Sequence, residues 1–195
     1  MNRFSARFAV TAALALVGGC VNIGGGGGKV PTQLYGLGAS PLDAGGGVTA
    51  QPAQALVLAE PEVTRALGTT RVAVAQEDGA VSYLKDGAWV DRPARLLRDR
   101  LVDSLRAKRL VVVDGDESPS GAARLSGQLS AFGYDEASHA AVVRYDALLR
   151  RRDGTLAQRR FEVSVPVARP RVGLVVAALA QASGKLAQDI ADWVG

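Results

Sequence analysis

One thiol, one imidazole, scattered hydroxyls and a cluster of guanidinium groups are the side chains of this 195-residue protein that could do chemistry. The imidazole is His139, set in Ser138-His139-Ala140 at the expected edge of a strand. Ser126, Ser130 and several aspartates leave a Ser-His-Asp hydrolytic site open in space, but no Gly-x-Ser-x-Gly elbow exists to present a serine nucleophile. The stretch Asp114-Gly115-Asp116-Glu117 has carboxylates for a loose calcium site. It lacks the spacing and distal glutamate of an EF-hand, which favours a solvated acidic loop. Two glycine runs, Gly24 to Gly28 and Gly45 to Gly47, could cradle a phosphate, yet neither ends in Lys-Ser/Thr nor follows a strand. On these grounds no catalytic residue, metal or cofactor is assigned, and the expectation is a protein that is not an enzyme.

The thiol is Cys20, the only cysteine, and its surroundings carry more information. Arg3 and Arg7 precede the uncharged run Ala9 to Val17, and Gly18-Gly19 stands immediately before the cysteine. A positive start, a short apolar stretch and a small-residue cleavage site make a secretory signal, and the run is about half of what a membrane-spanning helix needs. Leu16-Val17-Gly18-Gly19-Cys20 further resembles a bacterial lipobox. That implies cleavage between Gly19 and Cys20, diacylglycerol on the Cys20 sulfur and an N-acyl chain such as palmitate on its amine. The competing reading is an ordinary secreted protein whose single thiol stays unpaired and reactive. Acylation consumes the thiol, so no disulfide or thiolate metal site remains and the fold must rest on an ordinary core. Each buried acyl CH₂ is worth about 0.8 kcal/mol, so two or three chains hold a protein to a membrane durably without a spanning helix. Enterobacterial lipoproteins retained in the inner membrane tend to have aspartate after the cysteine. By that resemblance Val21 favours the outer membrane, with the protein facing the periplasm.

Cleavage leaves 176 residues, enough for one domain with a sizeable core. Removing Arg3 and Arg7 from 23 basic residues, against 19 acidic ones, leaves a mature charge of +2. That balance gives no argument for nucleic acid, despite a calculated pI of 9.6. The expected organisation is a signal peptide over 1–19, the lipidated cysteine and a flexible tether over 20–32, and a domain over 33–195. As a free coil the tether spans about 20 Å, and at most about 40 Å when stretched.

The domain reads as strands, a helix, more strands and a closing helix. Strands are expected at Gln33 to Leu37, Gln54 to Leu58, Thr70 to Ala75 and Val81 to Leu84, with Asp86-Gly87 as a turn. Asp91 is placed to cap a helix with Pro93 in its first turn, and Leu97, Leu101, Val102 and Leu105 give that helix one apolar face. Arg106, Lys108 and Arg109 suit its negative pole. Leu110 to Val113 reads as a buried strand and Asp114 to Gly121 as a loop. Three long strands follow at Ala123 to Tyr134, Ala140 to Arg151 and Thr155 to Val167, the last two joined at Asp153-Gly154, where both residue types tolerate positive φ. From Pro170 a final helix carries a broad stripe that includes Val175, Val176, Leu179, Leu186, Ile190 and Trp193. Gly173 and Gly184 weaken it by about 1 kcal/mol each, unless close packing requires them. The economical arrangement is α+β, a mixed and mostly antiparallel sheet packed by two helices.

On that frame the candidate interaction residues are aromatic and basic. Tyr83 and Trp89 flank the Lys85-Asp86-Gly87 turn and have the amphipathic rings that anchor interfaces. The alternative puts Tyr83 in the core under the first helix and Trp89 against that helix's start. Tyr35, just behind the tether, joins them as a candidate. Trp193 reads as core or as a subunit-boundary residue. Arg150, Arg151 and Arg152, with Arg159 and Arg160 across the hairpin, would concentrate positive charge at one tip, for anionic headgroups or an acidic partner, or simply as a solvated hairpin face.

These segments, in this order behind a lipobox, resemble the ABC-transporter auxiliary lipoproteins, the periplasmic partners of Mce-type lipid or solvent transport systems that include the paraquat-inducible lipoprotein group. The resemblance rests on Tyr35-Gly36-Leu37, Thr70-Arg71-Val72-Ala73-Val74, Val81-Ser82-Tyr83-Leu84 with Gly87-Ala88-Trp89, and Pro93-Ala94-Arg95-Leu96-Leu97. Later parts are Leu125 to Phe132, the Asp153-Gly154 hairpin with Phe161, and Asp189-Ile190-Ala191-Asp192-Trp193-Val194. Leu67-Gly68-Thr69-Thr70 departs from the family's Leu-Asp-Thr-type stretch, and the Gly45 to Gly47 insertion is unusual. The resemblance implies a non-catalytic accessory that docks, as a homo-oligomer, on an Mce-domain periplasmic protein and its ABC permease and ATPase. An outer-membrane assembly lipoprotein, serving lipopolysaccharide or β-barrel insertion, is the second reading.

Overall fold

The computed structural model describes residues 33–38, 47–115 and 119–195. Along them run β1 (Leu34–Tyr35), β2 (Leu56–Leu58), β3 (Glu62–Val63), β4 (Arg71–Ala75), β5 (Val81–Trp89), α1 (Pro93–Ala107), β6 (Val112–Asp114), β7 (Ala123–Asp135), β8 (Ala140–Arg150), β9 (Leu156–Pro166) and α2 (Val172–Val194). The expected signal peptide over residues 1–19, the expected lipidation site Cys20, the expected tether and residues 45 and 46 of the glycine insertion lie outside the described residues, as do Asp116 and Glu117 of the acidic loop.

β7 holds the sheet together. One edge pairs antiparallel with β8 along its length, and β8 pairs in turn with β9. The other edge accepts three short parallel strands in succession: β2 at Ala123 to Leu125, β3 at Gln128 and Leu129, and β4 at Gly133 to Asp135. β6 extends the sheet beyond β2, while β5 and then β1 extend it beyond β4. The sheet is therefore mixed, with most of its register antiparallel, and the α+β expectation holds.

Strand periodicity decides what is buried. Val143, Tyr145, Ala147 and Leu149 of β8 point into the core, beside Leu125, Leu129 and Phe132 of β7 and Phe161 of β9. α2 lies across β8 and β9 and packs against α1. Its Val175, Leu179, Ala182, Leu186 and Ile190 are completely buried, as are Leu97, Leu101 and Leu105 of α1. Burying a side chain of this size yields roughly 1.5–3 kcal/mol, so this layer supplies the cohesion that a disulfide would give a smaller domain. Among the described residues no helix is long and apolar enough to cross a membrane.

Several local expectations need correction. β5 does not stop at Leu84: Asp86 takes φ +65° and the chain bulges, after which Ala88 and Trp89 rejoin the ladder beside Arg71 and β1. The same Asp-Gly pair that can close a hairpin here makes a bulge, because strand partners exist on both sides. The N-cap of α1 is Arg92, not Asp91. The Asp91 carboxylate accepts the Arg92 N–H at 2.7 Å and lies 3.6 Å from Arg95. Ahead of β2, Pro52 starts a single 3-10 turn through Gln54, so the strand begins only at Leu56. The last helix starts at Val172, with Arg171 in extended conformation at its cap. Gly173 and Gly184 have open space where a Cβ would stand, so close packing does not require them.

Candidate interaction surfaces

The helix-free side of the β7–β8–β9 sheet is ordered in rows by register. Moving toward the hairpin, Arg144 faces Glu162, Asp146 faces Arg160, Leu148 faces Gln158 and Arg150 faces Leu156. The first two rows are ion pairs, each with an Arg Nε to carboxylate distance of 2.5 Å. Bonding to Arg160 holds the Asp146 carboxyl below the usual carboxylate range against its partial desolvation, and the Ser130 hydroxyl at 3.1 Å adds to this. Arg144 does the same for Glu162. The middle of this face is thus charged but neutralised.

The two rows nearest the tip differ. Leu148 is 39% exposed and Leu156 is 63% exposed, and Arg150 stands beside Leu156. The loop continues through Arg151 and Arg152, both exposed. Arg151 N–H donates to Thr155 O at 2.8 Å, and Gly154, at φ +84°, donates to Arg151 O at 3.0 Å, so the Asp153-Gly154 turn closes as expected. Arg152 Nη2 donates to Gln54 O at 2.8 Å, which ties the tip to the 3-10 turn before β2.

The five-arginine cluster does not form at the tip. Arg159 and Arg160 are neighbours on one strand, so they point to opposite faces. Arg159 turns to the helix side, its guanidinium 4.8 Å from the Phe161 ring centroid, and Phe161 in turn meets Trp193 edge-on at 5.6 Å. Arg160 is committed to Asp146, four residues along β8 from Arg150, or about 13 Å at strand rise. Only Arg150, Arg151 and Arg152 remain together.

The aromatic candidates separate as well. Trp89 is 1% exposed and packs edge-on against Phe132 at 5.3 Å, which removes it from any surface of this chain. Tyr83 is half-buried and packs at the margin of the core: its hydroxyl donates to Ala66 O at 3.1 Å and the Arg71 guanidinium lies 4.0 Å above its ring. Tyr35 is half-buried and folds over Gly87 together with Val172. A Cβ on Gly87 would stand 2.8 Å from the Tyr35 ring and 2.6 Å from Val172 Cγ2.

Sequence reasoning missed Arg100. It is only 7% exposed, and its Nη2 donates to Leu37 O at 2.5 Å and Gly38 O at 3.0 Å, clasping the segment behind β1 onto α1. The signal was present in the row Pro93, Leu97, Arg100 and Ser104, which repeats at helical spacing and is buried throughout. The exposed leucines 148 and 156 were also passed over, since alternation marked them only as outward-facing.

The hydrolytic candidates stay apart. His139 Nδ1 lies 3.3 Å from the Tyr134 hydroxyl, whereas Ser130 bonds Asp146 in the middle of the sheet. Asp114 of the acidic loop pairs with Arg98 at 2.6 Å. Gly19 and Cys20 lie outside the described residues.

Comparison with known proteins places the domain in a family. The model of a family described as "ABC-type transport auxiliary lipoprotein component" matches residues 35–191. Among curated proteins nothing matches. A crystal structure of protein XCC0632 from Xanthomonas campestris, of the family DUF330, superposes with TM-score 0.65 at 23% identity, covering 75% of this chain and 89% of that one. A second crystal structure, of an uncharacterized protein, gives TM-score 0.63 at 21% identity over 73% of this chain and 93% of that one. At these identities the structures speak to fold alone.

Proposed function

The chain belongs to the ABC-type transport auxiliary lipoprotein components, and from that membership we propose a membrane-anchored periplasmic accessory that works by docking and not by catalysis. Family membership carries association with an ABC-type transport system and with the cell envelope. The single observation behind the rest is that the family match spans the folded domain from Tyr35 to Ala191, directly downstream of a lipobox ending in Cys20. In this reading Cys20 bears diacylglycerol and an N-acyl chain and holds the protein at the outer membrane. The domain docks, as a homo-oligomer, on an Mce-domain protein whose ABC permease and ATPase move a lipid or another apolar compound.

Loss and rescue test the reading. Removing the protein should shift the accumulation of an apolar fluorescent probe in the envelope to the level seen when the permease is removed. The full chain should restore the original level and Cys20→Ala should not. His139→Ala should restore it fully. Failure of His139→Ala to rescue, with the protein present at normal levels, would point instead to a hydrolase.

A further inference from the structure

We propose that the β8–β9 hairpin tip is a second membrane contact, an amphipathic prong that enters the headgroup layer of an anionic bilayer. It rests on the reading of Cys20 as a lipid anchor, which keeps the domain beside a membrane. Four observations converge on this tip. Leu148 and Leu156 are exposed on one face, and register places them on a cross-strand diagonal, about 7–8 Å apart. Arg150 lies beside Leu156 on that face, while Arg151 and Arg152 follow in the loop on the side that also carries Leu149 and Val194. Among the described residues no carboxylate forms an ion pair with any of the three; Asp146 and Glu162, farther along the sheet, are taken by Arg160 and Arg144. The one acid in the loop, Asp153, accepts the Thr155 N–H at 2.9 Å and also feels the charge of Arg151, so three arginines against one carboxylate leave the tip net positive. The tip is also held in place, since Arg152 is bonded to Gln54 O.

Apolar side chains beside a net positive tip suit a layered target, anionic outside and hydrocarbon a few ångströms below, where leucine is buried and guanidinium groups stay at phosphate level. An acidic protein surface would satisfy the arginines and leave Leu156 against polar groups. The anchor adds reach. The 12 residues from Val21 to Thr32 could reach at most about 40 Å, against a domain with a radius of gyration of about 15 Å, so the anchor leaves room for the hairpin tip to meet the membrane. Confinement makes a contact too weak for a free protein sufficient for a tethered one.

The test uses the full lipidated chain reconstituted in vesicles of phosphatidylcholine, with or without about a third phosphatidylglycerol. Acylation of Cys20 leaves an introduced cysteine as the only thiol, so Leu156→Cys carries a nitroxide at the tip. Leu174→Cys, 53% exposed and in the first turn of α2, is the comparison site. The ratio of collisions with oxygen to collisions with a water-soluble nickel chelate should rise several-fold at residue 156 in anionic vesicles and stay aqueous at 174. The combined Arg150→Gln, Arg151→Gln, Arg152→Gln variant should return residue 156 to the aqueous ratio. Equal ratios at 156 and 174 in anionic vesicles overturn the proposal. So does shielding of 156 that appears only with envelope proteins added, which would identify an acidic protein partner. Labelling of the unsubstituted chain reports an unacylated Cys20, a failure of the anchor reading; the tip is then judged by the same ratio on the same vesicles.

Discussion

Arg100→Met should loosen residues 33–38 while leaving the rest of the sheet intact. Methionine keeps much of the buried aliphatic stem but removes the donor that binds Leu37 O and Gly38 O. Hydrogen bonds to a charged group contribute about 1.5–3 kcal/mol each, and the arginine's own desolvation offsets part of this. A net loss of about 2 kcal/mol follows for closure of residues 33–38, or roughly 30-fold in the opening equilibrium. The reporters are the amides that β1 protects, since Ala88 N–H donates to Gln33 O at 3.2 Å and Val90 N–H to Tyr35 O at 2.8 Å. Hydrogen exchange followed by mass spectrometry should show these two exchanging about 30-fold faster, with the β7–β8 ladder changed far less. Unchanged exchange at Ala88 and Val90 in a folded variant would refute the clasp. Uniform acceleration across the sheet would refute its local character.

Other expectations are independent of that clasp. Tyr145 Oη is buried without a hydrogen-bond partner among the described residues, so Tyr145→Phe should leave stability unchanged or raise it by up to about 1 kcal/mol in urea denaturation; a clear loss would contradict the orphaned hydroxyl. The same burial pushes the Tyr145 phenol well above its ordinary value, so it stays protonated in the fold where the unfolded chain ionises. The unfolded state then binds fewer protons, and stability should fall above about pH 10 by up to about 1.4 kcal/mol per pH unit. Tyr145→Phe should remove that slope, and a slope unchanged in the variant would assign it elsewhere. Gly184→Ala should stabilise by about 0.5–1 kcal/mol, since open space awaits the methyl; a lower thermal midpoint would mean that this helix face is covered. Gly87→Ala should cost about 1–3 kcal/mol by driving Tyr35 and Val172 apart, and an unchanged midpoint would show that both side chains yield freely.

The parts of the fold legible in the sequence are those where two local signals agree. β8 and β9 alternate cleanly on either side of Asp153-Gly154, and α2 carries a long stripe at helical spacing, so their ends fall within two residues of the expected ones. Where one signal serves two structures, the expectation failed. Asp86-Gly87 supports a turn or a bulge, and only the partners supplied by β4 and β1 choose between them. β3, two residues long, has no pattern of its own and exists because β7 offers it an edge. For the candidate surfaces, the split between Arg159 and Arg160 was available from strand alternation alone. The burial of Trp89 was not, because it depends on Phe132, distant in the chain; for Arg100 the helical row was legible but its partner Leu37 was not.

The central claim is that this anchored domain docks on an ABC-type transport complex. Crosslinking in intact envelopes, followed by capture of the full-length lipoprotein beside a Cys20→Ala control and mass spectrometry of what comes with it, tests that claim most directly. The expected catch is an Mce-domain protein with its ABC permease and ATPase, recovered in smaller amount from the control. Recovery of a β-barrel assembly protein in their place, or of no transport component at all, would contradict it.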